Sequence, residues 1–507
     1  KSDKIKFIVS GNATVLWNPI VDFVMNSEES LHYTADGYFG DVHPFYDEVN
    51  KKMYMYYLST GMEQDIKVEQ FTSLLATSGN MINYQPTKMQ MDNTNPPETH
   101  QYYALGVYKD KDGMFRSCYG RGNYAGASKS TDLLTWSNGA EMYLDEKEML
   151  AFRYRAYFDN DVKSGRDPDI FYDKDTKSYY CIVINYYTDM HDKGNKGLAI
   201  YKADENGVYS KTAIKALDCT GRGDPECPQV RKIGNRWYIF YSIYGTGSEG
   251  NVGKMAYRVG AENTAIEQIN WNSLTEHYLD GGDLHAAQIC QVGDMYYMYG
   301  WIAYRSNQNV WGGHLNIARE VYQKSDGLLG ARCDSYLTNE LSLGRVSKLS
   351  QSNVKVSNMS VVEDVFTSNG NGKAELEGQY NRNILRAHID MPLNAQSAGF
   401  TITQSGKAYY AYLYRNNGKL YLAVSNNVGS LDDFSWIEIE NASTTSFDLK
   451  IILDGQFIEA FVNDEYALTA HTTLTNSYYT LGIFANGSNV VFANTDVLKL
   501  AGSNSLN

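Results

Sequence analysis

The chain has 507 residues, a formal net charge of -14, 43% hydrophobic and 21% charged residues. This balance excludes general disorder and supplies enough chain for a large core, while the excess negative charge argues against nucleic acid or an anionic membrane as partner. No run of about 18 apolar residues is present, so no membrane insertion is expected.

There are 42 Tyr against 9 Pro, and aromatics reach 13%. That excess suits β-structure and also suits stacking on sugar rings. The six cysteines (Cys118, Cys181, Cys219, Cys227, Cys290, Cys333) form no C-x-x-C pair, which excludes the common zinc spacings and predicts buried free thiols. The sequence opens at Lys1, and the expectation is a secreted, periplasmic or cell-surface bacterial protein whose signal is not in this chain.

In chain order, the residues before about 30 match nothing that follows. An aromatic strand after a polar turn then recurs five times: Lys52–Leu58, Gly113–Tyr119, Lys177–Val183, Asn235–Tyr241 and Asp294–Gly300. Its anchors Tyr54, Phe115, Tyr179, Tyr238 and Tyr297 lie 61, 64, 59 and 59 residues apart. A period near 60 is too long for one hairpin and fits a four-stranded blade. Each copy follows a hairpin signal rich in Asp, Asn, Lys and Gly and precedes a third strand, such as Gly126–Trp136 or Gly313–Arg319. The fold class read from this is all-β: a five-bladed β-propeller within residues 1–340, carrying an N-terminal extension, and then a β-sandwich over 345–507. The sandwich rests on short alternating strands such as Lys407–Tyr414, Lys419–Val424, Phe447–Leu453 and Phe457–Val462. It is read as a brace for the propeller, with sugar binding as the alternative.

The repeat also aligns acids. Asp41 lies 13 residues before its anchor, Asp167 and Glu226 lie 12 before theirs, and Asp283 lies 14 before Tyr297. The second repeat has Tyr102 and Tyr103 at this place. First strands line a propeller's channel, so these carboxylates are expected to converge at one mouth of the axis. Acids that start strands could instead accept backbone N–H bonds. Convergent carboxylates repel one another, and at least one is expected to keep its proton near neutral pH. Glycoside cleavage needs that combination: one acid protonates the leaving oxygen, and one carboxylate attacks or activates water. No phosphate-cradling loop, G-x-S-x-G elbow or H-E-x-x-H helix is present, and no cofactor or metal is implied. His43 is read as packing or hydrogen bonding near Asp41, with direct sugar contact as the alternative. Trp301, and less strongly Phe39 and Tyr102, are candidate sugar contacts.

These residues resemble a known family. Gly165-Arg-Asp-Pro168 is similar to the Arg-Asp-Pro motif of glycoside hydrolase family 32, and Glu226-Cys-Pro228 to its Glu-Cys motif. Asp283-Leu-His-Ala-Ala-Gln288, Gly300-Trp301, Trp311-Gly-Gly313 and Ala318-Arg-Glu320 resemble its fifth-blade segment. Leu453–Asn463 and Leu481–Ala485 resemble its sandwich domain. The resemblance implies a retaining β-fructofuranosidase of the invertase, levanase and inulinase type, with an oligo- or polysaccharide substrate. Asp41 would be the nucleophile, Glu226 the acid/base, and Asp167 the holder of ring hydroxyls. Arg166 would orient its neighbours, and Asp283 would join the sugar contacts. Retention implies carboxyls of Asp41 and Glu226 about 5 to 5.5 Å apart.

The first motif departs from the family pattern. Tyr38-Phe-Gly-Asp-Val-His-Pro44 stands where the family has Trp-Met-Asn-Asp-Pro-Asn-Gly, and the family's sugar-contacting Gln falls at Leu58. Sugar identity is therefore open. Two alternatives stay with it: an inverting arabinofuranosidase or xylosidase of the family 43 type, with carboxyls about 6.5 to 9.5 Å apart, and a sugar-binding propeller without turnover.

Overall fold

A computed structural model describes residues 30–35, 39–59, 72–91, 103–121, 124–137, 140–141, 164–186, 196–204, 207–210, 214–219, 222–244, 254–303, 312–432 and 434–502. Five antiparallel sheets come first. Their two innermost strands are β1 (Gly40–Asp47) with β2 (Lys52–Ser59), β3 (Tyr103–Lys109) with β4 (Phe115–Arg121), β5 (Ser164–Asp173) with β6 (Ser178–Tyr186), β7 (Asp224–Ile233) with β8 (Arg236–Tyr244), and β9 (Leu284–Val292) with β10 (Met295–Ala303). The first strands touch in sequence, β1 to β3, β3 to β5, β5 to β7, β7 to β9, and β9 back to β1. That closed ring of inner strands is a five-bladed propeller. Because every blade starts on its inner strand, the starts of all five lie at one mouth of the axis.

The second strands form because their aromatic and branched residues pack on both faces. Tyr56, Tyr119, Tyr180, Tyr238, Tyr241, Tyr297 and Tyr299 are all fully buried. All six cysteines are buried and free.

The third strands are less continuous than the sequence suggests. In blade two the strand stops at Ser130, because Ser130 Oγ and Asp132 Oδ1 take the next backbone N–H groups and turn the chain at Leu133 (φ 66°). In blade five it breaks after Leu315, where the Asn316 side chain accepts from Gly300 N at 2.7 Å and donates to Ile317 O at 2.8 Å.

Helix α1 (Ser335–Leu341) is capped by Asp334, whose side chain accepts from Leu337 N. The sandwich follows, built from strands of one connected antiparallel sheet system. Its strands include β11 (Ser446–Asp454), β12 (Phe457–Val462), β13 (Tyr466–His471) and β14 (Thr480–Leu500). One hydrophobic core runs through both parts, joining Phe39, Met55, Leu315 and Ile317 to Phe457, Phe461 and Leu498. A buried ionic cluster crosses the same seam. Arg319 bonds Asp280 on the propeller side and Glu459 on β12. His32 bridges Asp454 (2.8 Å) and Glu459 (3.1 Å).

Candidate active site

Each inner strand carries a β-bulge at the same place. Gly40 pairs with Leu58 and His43 with Tyr56, so Asp41 and Val42 together oppose Tyr57. The same slip separates Tyr103 from Gly106, Arg166 from Asp169, Glu226 from Gln229, and His285 from Gln288. The first bulged residues are therefore Asp41, Ala104, Asp167, Cys227 and Ala286. Four of them hold left-handed backbone: Asp41 at φ 37°, Asp167 at 54°, Cys227 at 47° and Ala286 at 45°. None is glycine, so each carries steric strain of roughly 1 to 2 kcal/mol. Strain repeated at one register around a ring marks a place where side-chain aim is held by the surrounding fold.

The acids divide on this register. Asp41 and Asp167 are equivalent, each leading its bulge. Glu226 stands one residue earlier, the last paired residue before the bulge. Arg166 shares that pre-bulge position through its pairing with Ile184.

Neighbouring blades hold these groups. Trp301 Nε1 donates to Asp41 Oδ1 at 3.1 Å, joining blade five to blade one. Cys227 N donates to Asp167 Oδ2 at 3.2 Å, tying the residue after Glu226 to blade three. Gln288 Nε2 donates to Cys227 O at 2.6 Å, and Gln229 Oε1 accepts from Ile289 N at 2.6 Å. Both glutamines are buried. The Gln of the fifth-blade motif thus fixes the bulge that follows Glu226. Gly300 opposes the fifth bulge, and a Cβ there would lie 2.9 Å from Ala287 Cβ and from His285 O. Only glycine lets β10 approach closely enough to present Trp301 to Asp41. Below the bulges, Arg231 pairs with Asp169 between blades four and three.

Burial and placement bear on four of these residues: Phe39, Asp283 and Trp301, expected as sugar contacts, and His43, read as packing with sugar contact as the alternative. Phe39 is fully buried and packs on Tyr33 and Tyr57, so its ring belongs to the core. His43 is buried, and desolvation followed by the charge of Arg231 pushes its pKa down to about 3; it is a neutral core imidazole. Asp283 lies three residues before the fifth bulge, and its Oδ2 accepts from His471 N of β13 at 2.9 Å. Its placement fits the seam between propeller and sandwich. Trp301 is 5% exposed and donates to Asp41, so little of its ring is open to a sugar face. Tyr102 lies outside the described residues.

One residue was not singled out from the sequence. His285 occupies the pre-bulge position of blade five, pairing with Trp301 as Glu226 pairs with Ser242. The signal was present: His285 follows Glu226 by 59 residues, the spacing that separates Tyr297 from Tyr238. Among the described residues no group of three or more His, Cys, Asp or Glu side chains is arranged to hold a metal ion. Nor is any described helix long and apolar enough to cross a membrane.

The fold is shared with solved glycosidases. Exo-inulinase from Aspergillus awamori is similar at a TM-score of 0.66 and 15% identity, over 94% of this chain and 99% of that one. β-Fructofuranosidase from Schwanniomyces occidentalis, complexed with fructosyl-erythritol, gives 0.65 and 14% over 93% and 98%. Fructan 1-exohydrolase IIa from Cichorium intybus, in complex with 1-kestose, gives 0.67 and 11% over 94% and 98%. No curated protein matches the chain in sequence. The model of the glycosyl hydrolases family 32 N-terminal domain matches residues 34–330, and that of the family 32 C-terminal domain matches residues 345–499. With both matches laid along the propeller and the sandwich, the chain belongs to glycosyl hydrolase family 32.

Proposed function

We propose that the chain is a retaining β-fructofuranosidase acting on levan-, inulin- or sucrose-type glycans, exported as a secreted, periplasmic or cell-surface bacterial enzyme. The observation that carries this reading is the placement of Asp41 and Glu226 at the bulged starts of two inner strands, at one mouth of the propeller, with Trp301 N–H on Asp41.

The chemistry follows in two displacements. The Asp41 carboxylate attacks the anomeric carbon while Glu226 gives its proton to the departing glycosidic oxygen, and a covalent fructosyl ester forms. Glu226, now a carboxylate, takes a proton from water as that water attacks the same carbon, and Asp41 leaves. Asp167 holds ring hydroxyls as charge develops, with its own carboxylate positioned by Cys227 N. The Trp301 N–H fixes the orientation of the nucleophile's carboxylate. The five bulges support this role because the geometry is stored in the backbone before substrate arrives.

The test is incubation with sucrose, inulin, levan and an aryl arabinoside, with the released sugar and its anomeric form followed by NMR. Fructose released with its configuration kept is expected. Asp41→Asn and Glu226→Gln are each expected to cut turnover by about three orders of magnitude or more with the fold intact. Pentose without fructose, or near-normal turnover in either variant, overturns the assignment.

A further inference from the structure

We propose that His285 is a specificity-determining residue that hydrogen-bonds a hydroxyl of the sugar held against Asp41. This inference rests on the glycosidase reading of the same pit.

Three observations place the ring there. His285 holds the register position of Glu226, so the backbone delivers both side chains to the same level of the mouth. The flanking Leu284 and Ala286 are buried, whereas His285 keeps partial exposure. Its ring lies on Trp301, with centroids 4.8 Å apart and planes 34° apart, and Trp301 in turn donates to Asp41. The imidazole therefore stands one aromatic ring away from the nucleophile.

The chemistry of the position points to a hydroxyl. Burial pushes the His285 pKa down to about 4, so the ring is neutral across the ordinary pH range. A neutral imidazole offers one N–H donor and one bare acceptor nitrogen. That pair matches a sugar hydroxyl, which also donates and accepts. The tilted contact with Trp301 packs one side of the ring, while neither ring nitrogen has a hydrogen-bond partner among the described residues.

Blade one explains why such a contact matters. Gly40 and Leu58, the two departures from the family's polar pattern, are cross-strand partners on β1 and β2. The loss of polarity is thus one local change, since Gly40 has no side chain and Leu58 is buried and apolar. Inner strands β9 and β1 are neighbours in the ring, so His285 stands on the blade beside this gap. A hydroxyl facing blade one meets no polar side chain from this pair, and the imidazole next door is placed to serve it.

The experiment compares wild type with His285→Phe, which keeps an aromatic ring against Trp301 and removes both nitrogens, on a series of monodeoxy glycosides. The series is built on whichever glycoside, fructoside or arabinoside, the wild type cleaves. The variant is expected to lose about 10- to 100-fold in kcat/KM on the fully hydroxylated substrate. On the one deoxy analogue that lacks the hydroxyl read by His285, the two enzymes are expected to converge. A loss of equal size on every analogue, or no loss on any, overturns the proposal. A wild type that cleaves only the arabinoside overturns the fructosidase reading alone, because the deoxy comparison is then read on arabinosides. A wild type inert to both classes overturns the two together.

Discussion

Trp301 and Asp41 lie 260 positions apart in the chain, yet the indole Nε1 donates to the carboxylate Oδ1 at 3.1 Å. This contact closes the ring chemically at the point where the last blade meets the first. It also gives Trp301 a role distinct from sugar stacking, because the indole is mostly covered.

Replacing Trp301 by Phe keeps an aromatic ring and deletes the donor. The expected result is a fall in kcat of about 10- to 100-fold with little change in thermal stability. Steady-state kinetics on the cleaved substrate, read beside a melting curve, check this. A rise in KM at constant kcat would assign the ring to sugar binding instead.

At Gly300 the prediction concerns space. A methyl group would meet Ala287 Cβ and His285 O at 2.9 Å, and neither is the end of a flexible side chain. Gly300→Ala is expected to destabilise the protein by about 1 to 3 kcal/mol and to lower kcat at least about tenfold through displaced Trp301. Urea titration and kinetics together test it, and a variant that melts lower with unchanged kcat would refute the link to the site.

Asp283 offers the opposite pattern. Its carboxylate accepts a backbone N–H from the sandwich. Asp283→Ala is expected to cost about 1 to 3 kcal/mol of stability while leaving kcat/KM within about twofold. Loss of turnover at an unchanged melting temperature would return Asp283 to the sugar contacts.

The seam between propeller and sandwich should respond to pH with a defined sign. Burial opposes charge on His32, but hydrogen bonds to Asp454 and Glu459 prevail and raise its pKa above 6.5. Its contribution is therefore complete below pH 6.5 and fades as pH rises through the folded value. His43 and His314, lowered by burial to about 3 and about 4, act the other way and cost stability as pH falls below 6.5. The melting-temperature gap between wild type and His32→Gln should thus be widest in mild acid and narrow toward alkaline pH. A gap independent of pH would show that His32 does not titrate in this cluster.

Much of this architecture was legible because a blade repeats its own instructions. The aromatic anchors set the period, the polar turns set the hairpins, and the sandwich strands from Lys407 onward appeared close to their observed bounds. Register was harder. Counting from aromatic anchors put Asp283 beside Asp41 and Asp167, whereas the bulges separate it by three residues. A bulge is a backbone event with no fixed residue signature when its strained position is filled by Asp, Cys or Ala. Burial of Phe39 was equally hidden, since it stands just before β1, where alternation gives way at the bulge to residues packed on both sides. His285 shares the register of Glu226 but carries an imidazole, so the alignment of acids does not mark it.

The fully buried Arg319 is neutralised from two sides, by Asp280 of the propeller and Glu459 of the sandwich, within a hydrophobic core that both halves share. Two regions that look separable on paper are thus thermodynamically inseparable. Pulling them apart would strand opposite charges and open the core in a single step. The chain should accordingly melt in one transition, and damage at the far side of the sandwich should be felt at the mouth of the propeller.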